Sequence, residues 1–396
     1  MRSPVTSISP QSPVPAHAFA ALMAANFCFF MGFATFFLLP KYLMIELDAA
    51  EREVGLLMAG YGISMIACLP WVGVGSDRHG RRPYLLFGAG LLALTAVAFV
   101  FIRTLDAFPY LLRGLQGIAF ACWFVNASTL AVDLVDPARR GSALGLFGVS
   151  TLVTYGAAPA LAEWVAGVQG FTPVFALAAG WCAVAGLLSL RLPVPPRAAK
   201  PGHATRSWFR LVTRSAIGRI CFNALLMGLA FGTVLVFCQP QALAKGIAPV
   251  TTLPLSFAMT SIVIRLGFSR LVDGRAQRTV LLVSLICMAL GTGGLADVDG
   301  RLAYALCGAL VGIGHSLAYP TLNVLLINRL PAHEHGTGMS LFVAAFNVGT
   351  ILAQVGFGLL IPHLGLSPIF LIAAAAVLLA IPFAATITAR RPALDQ

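Results

Sequence analysis

The chain has 396 residues, of which 59% are hydrophobic and only 10% are charged, and its formal net charge is +12. Soluble domains average about 25% charged residues, so this composition excludes an ordinary soluble protein and predicts that lipid surrounds most of the chain. A basic excess is also found in nucleic-acid-binding proteins, but the placement of the basic residues argues against that function here.

Residues 1–17 are polar and contain four prolines, and the apolar run that follows is too long for a signal peptide. We therefore predict a short cytoplasmic tail before a first membrane span. Twelve apolar stretches follow, each close to the roughly 20 residues that cross a bilayer as a helix. They lie at 18–40, 54–75, 83–103, 107–131, 142–165, 171–192, 216–238, 252–272, 279–297, 302–326, 338–361 and 367–388.

The basic residues are distributed unequally between the two sides of these spans. With both termini on one side, nineteen of the 26 Lys and Arg residues fall on that side, five fall opposite, and Arg113 and Arg265 lie inside spans. Cytoplasmic loops carry such an excess, so both termini are predicted in the cytoplasm. Only three of the 26 are Lys, a bias typical of GC-rich bacterial genomes. We predict a multi-pass protein of the bacterial cytoplasmic (inner) membrane with no nucleic-acid partner.

Between the second and third spans, residues 73–83 read Gly-Val-Gly-Ser-Asp-Arg-His-Gly-Arg-Arg-Pro. A loop this charged cannot lie in hydrocarbon, so it is predicted to form a tight turn at the membrane surface. The form Gly-x-x-x-Asp-Arg-x-Gly-Arg-Arg resembles the signature of the major facilitator superfamily at this position. Its candidate gating residues are Gly73, Asp77, Arg78, Gly80, Arg81 and Arg82.

Polar residues inside the first and fourth spans are candidates for a substrate cavity. Asn26 needs a partner in hydrocarbon, so it is predicted to face the bundle interior or a wet cavity. In the fourth span, helical periodicity places Gln116, Trp123 and Asn126 within roughly an 80° arc, close to Arg113. An arginine before a Gln-Gly pair resembles the superfamily's fourth-helix motif, which in exporters is linked to proton coupling. The alternative is that Arg113 reaches the outer headgroups.

The fifth span contains Pro159 among small residues, resembling a degenerate form of the Gly-Pro-x-x-Gly-Gly motif of antiporters. Before it, the segment that starts at Asp133 resembles the superfamily's loop between helices four and five. Glu163 is the only carboxylate placed within a span. One hypothesis pairs Glu163 with Arg113 and lets the carboxylate carry a proton. The alternative is that Glu163 is simply interfacial.

The second half of the chain repeats the first. Arg270 and Asp273 lie between spans eight and nine, and Asp273 follows Asp77 by 196 residues. Gly336 and Gly141, in a second pair of similar loops, are 195 residues apart. Two matches at nearly one offset predict a duplicated six-helix unit, as in parallel-repeat transporters.

Polar residues in the second half extend the list of cavity candidates. In span ten, His315, Tyr319 and Asn323 are four residues apart and share one helix face. A lone histidine is more often a packing residue, but three polar residues on one stripe favour a cavity lining. Asn223 in span seven is a further candidate. Arg265 in span eight either reaches the surface or joins the gate of the second motif copy.

No metal or cofactor site is predicted. The eight cysteines fall in or at the ends of spans and form no CxxC motif, so neither a disulfide nor a metal site is expected. No Gly-x-x-x-x-Gly-Lys nucleotide motif occurs, so transport energy is expected to come from an ion gradient or from the substrate's own gradient.

From residue 18 to residue 388 the chain resembles a twelve-helix major facilitator transporter. That resemblance implies an all-α membrane protein built from two pseudo-symmetric six-helix bundles. The predicted segments are a tail at 1–17, bundles at 18–192 and 216–388, a basic cytoplasmic linker at 193–215 and a tail at 389–396.

The resemblance further implies alternating access, with Asp77, Arg78 and Asp133 stabilising the outward-facing state. Arg113 and Pro159 favour proton-linked efflux of a small organic molecule. A proton symporter or uniporter for metabolite uptake is the first rival. A membrane-embedded enzyme or a receptor is the second, but catalysis needs clustered acid, base or nucleophile groups, which the spans lack. The predicted partners are the substrate, protons and the bilayer, with no obligate protein partner.

Overall fold

The computed structural model describes residues 16–135, 140–192, 211–267, 277–331 and 334–387. Within these ranges the chain forms helices and no strand. Eleven of the described helices are long and apolar enough to cross a membrane, and Thr252–Gly267 is a shorter apolar helix. The all-α membrane fold predicted from the sequence is therefore confirmed. Most of the predicted linker and nearly all of both tails lie outside the described residues.

The amino-terminal half contains seven helices in six spans. They are α1 (Ala16–Thr35), α2 (Leu39–Glu46), α3 (Glu51–His79), α4 (Arg81–Phe99), α5 (Ala107–Asp133), α6 (Arg140–Gln169) and α7 (Thr172–Ser189). A 3-10 turn, Phe36–Leu38, joins α1 to α2, so these two helices form one span. Asp106 begins α5 by accepting a hydrogen bond from the Phe108 backbone N–H at 2.9 Å.

The carboxy-terminal half repeats this plan. It contains α8 (Ser215–Ala244), α9 (Thr252–Gly267), α10 (Gln277–Gly294), α11 (Gly300–Ile327), α12 (His335–Leu352), α13 (Gly358–Leu364) and α14 (Leu366–Ala385). A π-helical segment, Ala353–Phe357, joins α12 to α13 and makes them one span.

The same helix pairs pack together in both halves. In the first half α3 packs on α5, α4 on α5 and α7, and α1 on α6 and α7. In the second half α9 packs on α11, α10 on α11 and α14, and α8 on α12 and α14. Across the junction, α6 contacts α9, and α3 contacts α12, α13 and the π-helical segment. These contacts match the half-chain repeat seen in the two motif copies.

The apolar core shows where the halves meet. We call the face at which α1 begins and α14 ends the terminal face, and the other the opposite face. One buried apolar cluster, around Phe29 and Trp123, draws its buried members only from residues 18–192. A larger cluster contains the buried core residues of the second half together with residues from the first half that lie near the opposite face, such as Phe36 and Leu57. The two halves therefore share a core at the opposite face.

Candidate functional site

Glu163 on α6 bridges the two halves at the opposite face. Its Oε1 accepts a hydrogen bond from the Val250 backbone N–H at 2.9 Å, and its Oε2 accepts one from the Thr251 backbone N–H at 2.9 Å. The Thr251 hydroxyl also donates to Oε2. Lys41 Nζ lies 2.6 Å from Oε1 and completes the shell of the carboxylate. We call these four residues the opposite-face seal.

This geometry corrects two hypotheses about Glu163. The carboxylate pairs with Lys41, so the hypothesised ion pair with Arg113 is not formed. Nor is Glu163 merely interfacial, since it is only 8% exposed and every contact described above except that with Lys41 reaches the other half. Sequence reasoning missed Lys41 and Thr251. The one available signal was that Lys41 is one of only three lysines in the chain.

A second set of contacts joins the halves between α3 and the π-helical segment. A side-chain carbon on Gly55 would overlap the backbone oxygen of Gln354, so only glycine permits this approach. Nearby, Gln239 on α8 donates through Nε2 to the Phe37 backbone oxygen at 2.5 Å. These contacts, like the opposite-face seal, are buried and connect one half to the other.

The charged segment of residues 73–83 is held within the first half, and it is not the loop that the sequence predicted: it forms the end of α3 and the start of α4, with the turn confined to Gly80. Gly80 has φ of +82°, which glycine adopts readily and other residues rarely do. Arg81 forms an ion pair with Asp133, and Arg82 Nη2 donates to the Leu192 backbone oxygen at 2.5 Å. The structure places Arg81 against Asp133, and the predicted action of Asp133 with Asp77 and Arg78 stays a prediction.

For the remaining gating candidates, no contact that would support a gating role is described. Arg78 is exposed, and a side-chain carbon on Gly73 would meet nothing within 4 Å. The side chain of Asp77 and the whole of Arg270 and Asp273 lie outside the described residues. Their predicted roles in the gate therefore remain predictions.

Arg113 is buried in the first half beside neutral partners. Its Nη1 donates to Gln116 Oε1 at 2.6 Å, and its Nη2 lies 3.6 Å from the Met58 sulfur. The guanidinium carbon is 5.5 Å from the centre of the Tyr61 ring. Because Arg113 is only 2% exposed, it does not reach the headgroups in this structure. The structure therefore corrects the snorkelling alternative.

Asn26 and Trp123 form a buried polar network that ties three helices of the first half together. Trp123 Nε1 donates to Asn26 Oδ1 at 3.2 Å, and Asn26 Nδ2 donates to Ser150 Oγ at 2.9 Å and Thr151 Oγ1 at 3.2 Å. Asn26 is fully buried. Both polar atoms of its side chain form hydrogen bonds, so the amide holds α1, α5 and α6 together. Neither atom is left to bind a ligand in a cavity. Asn126 bonds instead to the Cys122 backbone oxygen on its own helix, at 2.8 Å.

We predict that Asn26→Leu lowers the stability of the protein, because it leaves the Trp123 indole N–H and two hydroxyls without their amide partner. Loss of a partner for a buried polar group costs about 1–3 kcal/mol. The melting temperature of purified protein in detergent measures the effect. Asn347→Leu is the matched control, since the one hydrogen bond that Asn347 makes to the described residues goes to the Val343 backbone oxygen on its own helix. Equal melting temperatures for the two variants would contradict the role given to Asn26.

The predicted stripe on α11 lies against aromatic residues of the second half. The His315 ring stacks on Phe231 at 4.8 Å between ring centres and on Tyr319 at 5.7 Å. His315 Nδ1 and Asn323 Oδ1 are buried without a hydrogen-bond partner. Asn223 on α8 is also buried and bonds through Nδ2 to the Arg219 backbone oxygen at 2.9 Å.

A pocket between the halves lies next to this stripe. Its lining is mostly apolar and aromatic, with Phe37 and Tyr155 from the first half and Phe231, Phe257 and Gln239 from the second. Sequence reasoning did not single out Tyr155 or Gln239, because isolated polar residues in apolar spans carry no periodic signal. The volume of the pocket is only about 30 Å³, far below the roughly 300–1,000 Å³ of a small-molecule site, so it would take a ligand only after the halves move apart.

Arg265 on α9 stands at the junction of the halves. A side-chain carbon on Gly148 of α6 would lie 2.5 Å from Arg265 Nη1, so the guanidinium rests directly against the first half. Tyr155, Tyr319 and His315 lie within electrostatic range of it. The structure thus places Arg265, half-buried, against the first half and within electrostatic range of the stripe on α11. Whether it also joins the second motif copy involves residues that the structure does not describe.

The family model described as Major Facilitator Superfamily matches residues 22–296 and 250–396. The chain belongs to the major facilitator superfamily. An uncharacterized MFS-type transporter of Methanocaldococcus jannaschii is 20% identical over 339 residues, covering 82% of this chain and 86% of the relative. The multidrug resistance protein MdtL of Klebsiella pneumoniae is 25% identical over 186 residues, covering 46% of this chain and 47% of its own length.

Two solved structures share the fold of this chain over nearly its whole length. A crystal structure of the nucleoside transporter NupG matches with a TM-score of 0.76 at 14% identity, covering 93% of this chain and 99% of that chain. The human organic anion transporter MFSD10 matches with a TM-score of 0.72 at 16% identity, covering 94% and 100%. The protein is therefore a membrane transporter of the superfamily with the fold that these structures display.

Proposed function

We propose that this protein exports a small organic molecule across the bacterial inner membrane by alternating access, coupled to the entry of protons. The observation that carries the proposal is the opposite-face seal, which joins the halves through the carboxylate of Glu163. The ion pairs Arg81–Asp133 and Arg214–Glu334, which the described residues form near the terminal face, each lie within one half. Within the described ranges, the hydrogen bonds given above that join the two halves all lie at the opposite face.

The excess of basic residues on the terminal side supports placing that face in the cytoplasm. The structure would then be an inward-facing state, in which the pocket between the halves is closed toward the outside. The similarity to MdtL proteins, which are named multidrug resistance proteins, supports efflux as the direction.

Glu163 supports proton coupling because its contacts depend on charge. A carboxylate accepts hydrogen bonds from both backbone N–H groups and attracts Lys41, whereas a carboxylic acid loses that attraction and presents a donor of its own. Proton occupancy of Glu163 and opening of the opposite face are therefore linked. Protons arriving from the outside would weaken the seal.

Everted membrane vesicles test the direction and the coupling. Compounds are first selected by comparing the growth of a deletion strain with that of the same strain complemented by the wild-type gene. A selected compound should accumulate in energised everted vesicles that contain the wild-type protein, and its addition should make the vesicle lumen more alkaline. Vesicles that contain the Asp77→Asn variant are the gating control. Accumulation only in right-side-out vesicles would establish the rival function, symport or uniport for uptake.

The proton role of Glu163 has its own readout in the same vesicles. Transport by Glu163→Gln should lose its dependence on the pH gradient, since the amide does not titrate. A pH dependence identical to that of the wild type would remove Glu163 from the coupling mechanism.

A further inference from the structure

Arg265 is a cation within the second half for which the described residues supply no counter-charge. Its Nε is buried without a hydrogen-bond partner, and none of the described carboxylates forms an ion pair with its guanidinium. A charge inside a membrane span is costly unless an opposite charge or acceptor groups meet it. The arginine is therefore a group that gains from the arrival of an anion.

The surroundings of Arg265 are suited to a ligand with one acidic group. Tyr155 from the first half and Tyr319 from the second lie within electrostatic range of the guanidinium. Phenol hydroxyls can also donate hydrogen bonds to a carboxylate. Gly148 leaves room for the guanidinium where any other residue would place a side-chain carbon against it. The cation thus stands where the two halves meet, and a ligand bound to it can contact both halves.

An aromatic region lies directly beside the cation. His315 belongs to this region. The centre of its ring lies 4.8 Å from the centre of the Phe231 ring and 5.7 Å from the centre of the Tyr319 ring. Phe231 and Tyr155 both line the pocket between the halves. The pocket holds only about 30 Å³ in this structure, but its walls are apolar apart from a few groups, so once the halves move apart they suit a hydrocarbon body and not a second charge.

We propose that Arg265 binds the carboxylate of an amphipathic organic monoanion. Tyr155 and Tyr319 donate further hydrogen bonds to this carboxylate, and the apolar body of the ligand packs against Phe231 and Phe257 in the pocket as it widens between the halves. A planar guanidinium can bind both oxygens of a carboxylate at once, which gives the site directional selectivity. Only the statement that this ligand is the transported compound rests on the proposed function.

Ligand binding by purified protein tests the proposal without any transport. The probes are three pairs, each an acid and its amide: benzoate and benzamide, 4-phenylbutyrate and 4-phenylbutyramide, and octanoate and octanamide. At least one acid should raise the melting temperature of the wild-type protein more than its amide does. Arg265→Gln should weaken binding of that acid by about 10- to 100-fold and leave the amide unchanged, the effect of losing a charged hydrogen-bond partner. Arg265→Lys should retain part of the preference for the acid.

Controls separate the loss of this cation from a general loss of charge or of folding. Arg301→Gln removes the same charge from an exposed position at the opposite face and should bind the acid like the wild type. Tyr319→Phe should weaken binding of the acid several-fold and spare the amide. A monodisperse elution profile shows that each variant is folded.

The proposal is overturned if no acid is preferred over its amide, or if Arg265→Gln keeps the preference. Failure of the proposed function looks different. Acids would then bind through Arg265 in detergent, while everted vesicles would show no accumulation or the reverse direction.

Discussion

Replacing Glu163 by glutamine should open the opposite face of the transporter. The amide keeps one acceptor oxygen but turns an N–H₂ group toward backbone N–H donors, and it loses the attraction of Lys41. Hydrogen bonds to a charged group contribute about 1.5–3 kcal/mol each. Loss of one such bond shifts the equilibrium toward the outward-open state by about 10- to 100-fold.

Distances between spin labels across the seal measure this shift. Labels on cysteines at the exposed positions Ala50 and Ala244, in a background without the native cysteines, report the separation of the two halves at that face. Glu163→Gln should move the distance distribution to longer values. Glu46→Gln is the matched control, because Glu46 is exposed at the same face and is not a member of the opposite-face seal. An unchanged distribution in Glu163→Gln would show that the carboxylate does not latch the halves.

The lysine should contribute less than the carboxylate. Lys41→Met leaves the hydrogen bonds from the Val250 and Thr251 backbone to Glu163 in place, so its shift should be smaller. Exchanging the two charges, with Lys41→Glu and Glu163→Lys together, should not restore the seal. A lysine at position 163 cannot accept from two backbone donors, so pairing of charges alone does not account for the latch.

Gly349→Leu should prevent the second half from packing. A side-chain carbon on Gly349 of α12 would overlap the Leu225 backbone oxygen of α8, and one on Gly228 would overlap the Phe346 backbone oxygen in return. Small residues let membrane helices approach this closely. Overpacking a filled core typically costs about 1–3 kcal/mol, and more where the obstacle is backbone that cannot give way.

The yield and melting temperature of the purified protein report the effect. Gly90→Leu introduces the same side chain at an exposed position of α4, where a side-chain carbon meets nothing within 4 Å. It should behave like the wild type. If both leucine variants are equally stable, the close approach of α8 and α12 is not needed for folding.

Features that depend on residues close together in the sequence could be predicted, whereas contacts between distant residues could not. The turn at Gly80 depends on neighbouring residues, as do the helices on either side of it. The run of charged residues between two apolar stretches was therefore enough to predict the turn. Glu163 stood out because it is a carboxylate in an apolar run. Its partners could not be predicted, since Lys41 lies 122 residues before it and Val250 lies 87 after it. Only the packed halves bring these groups together.

The polar residues of the first half show a similar division. Burial of Asn26 and of Arg113 follows from the cost of polar groups in hydrocarbon, which composition and periodicity reveal. Their roles depended on neighbours that no pattern identified. Trp123, Ser150 and Thr151 occupy every polar atom of Asn26, whereas Arg113 has only neutral partners.

The apolar cluster that spans both halves at the opposite face gives the transport cycle a thermal signature. Opening that face exposes buried groups such as Phe36 and Phe237 to water, as partial unfolding would. Hydration of apolar surface carries a large positive heat capacity, so the enthalpy and entropy of opening must both vary with temperature. The apolar attraction also weakens on cooling. The population of outward-open transporters should consequently follow a curved van't Hoff plot, with the closed face loosest in the cold.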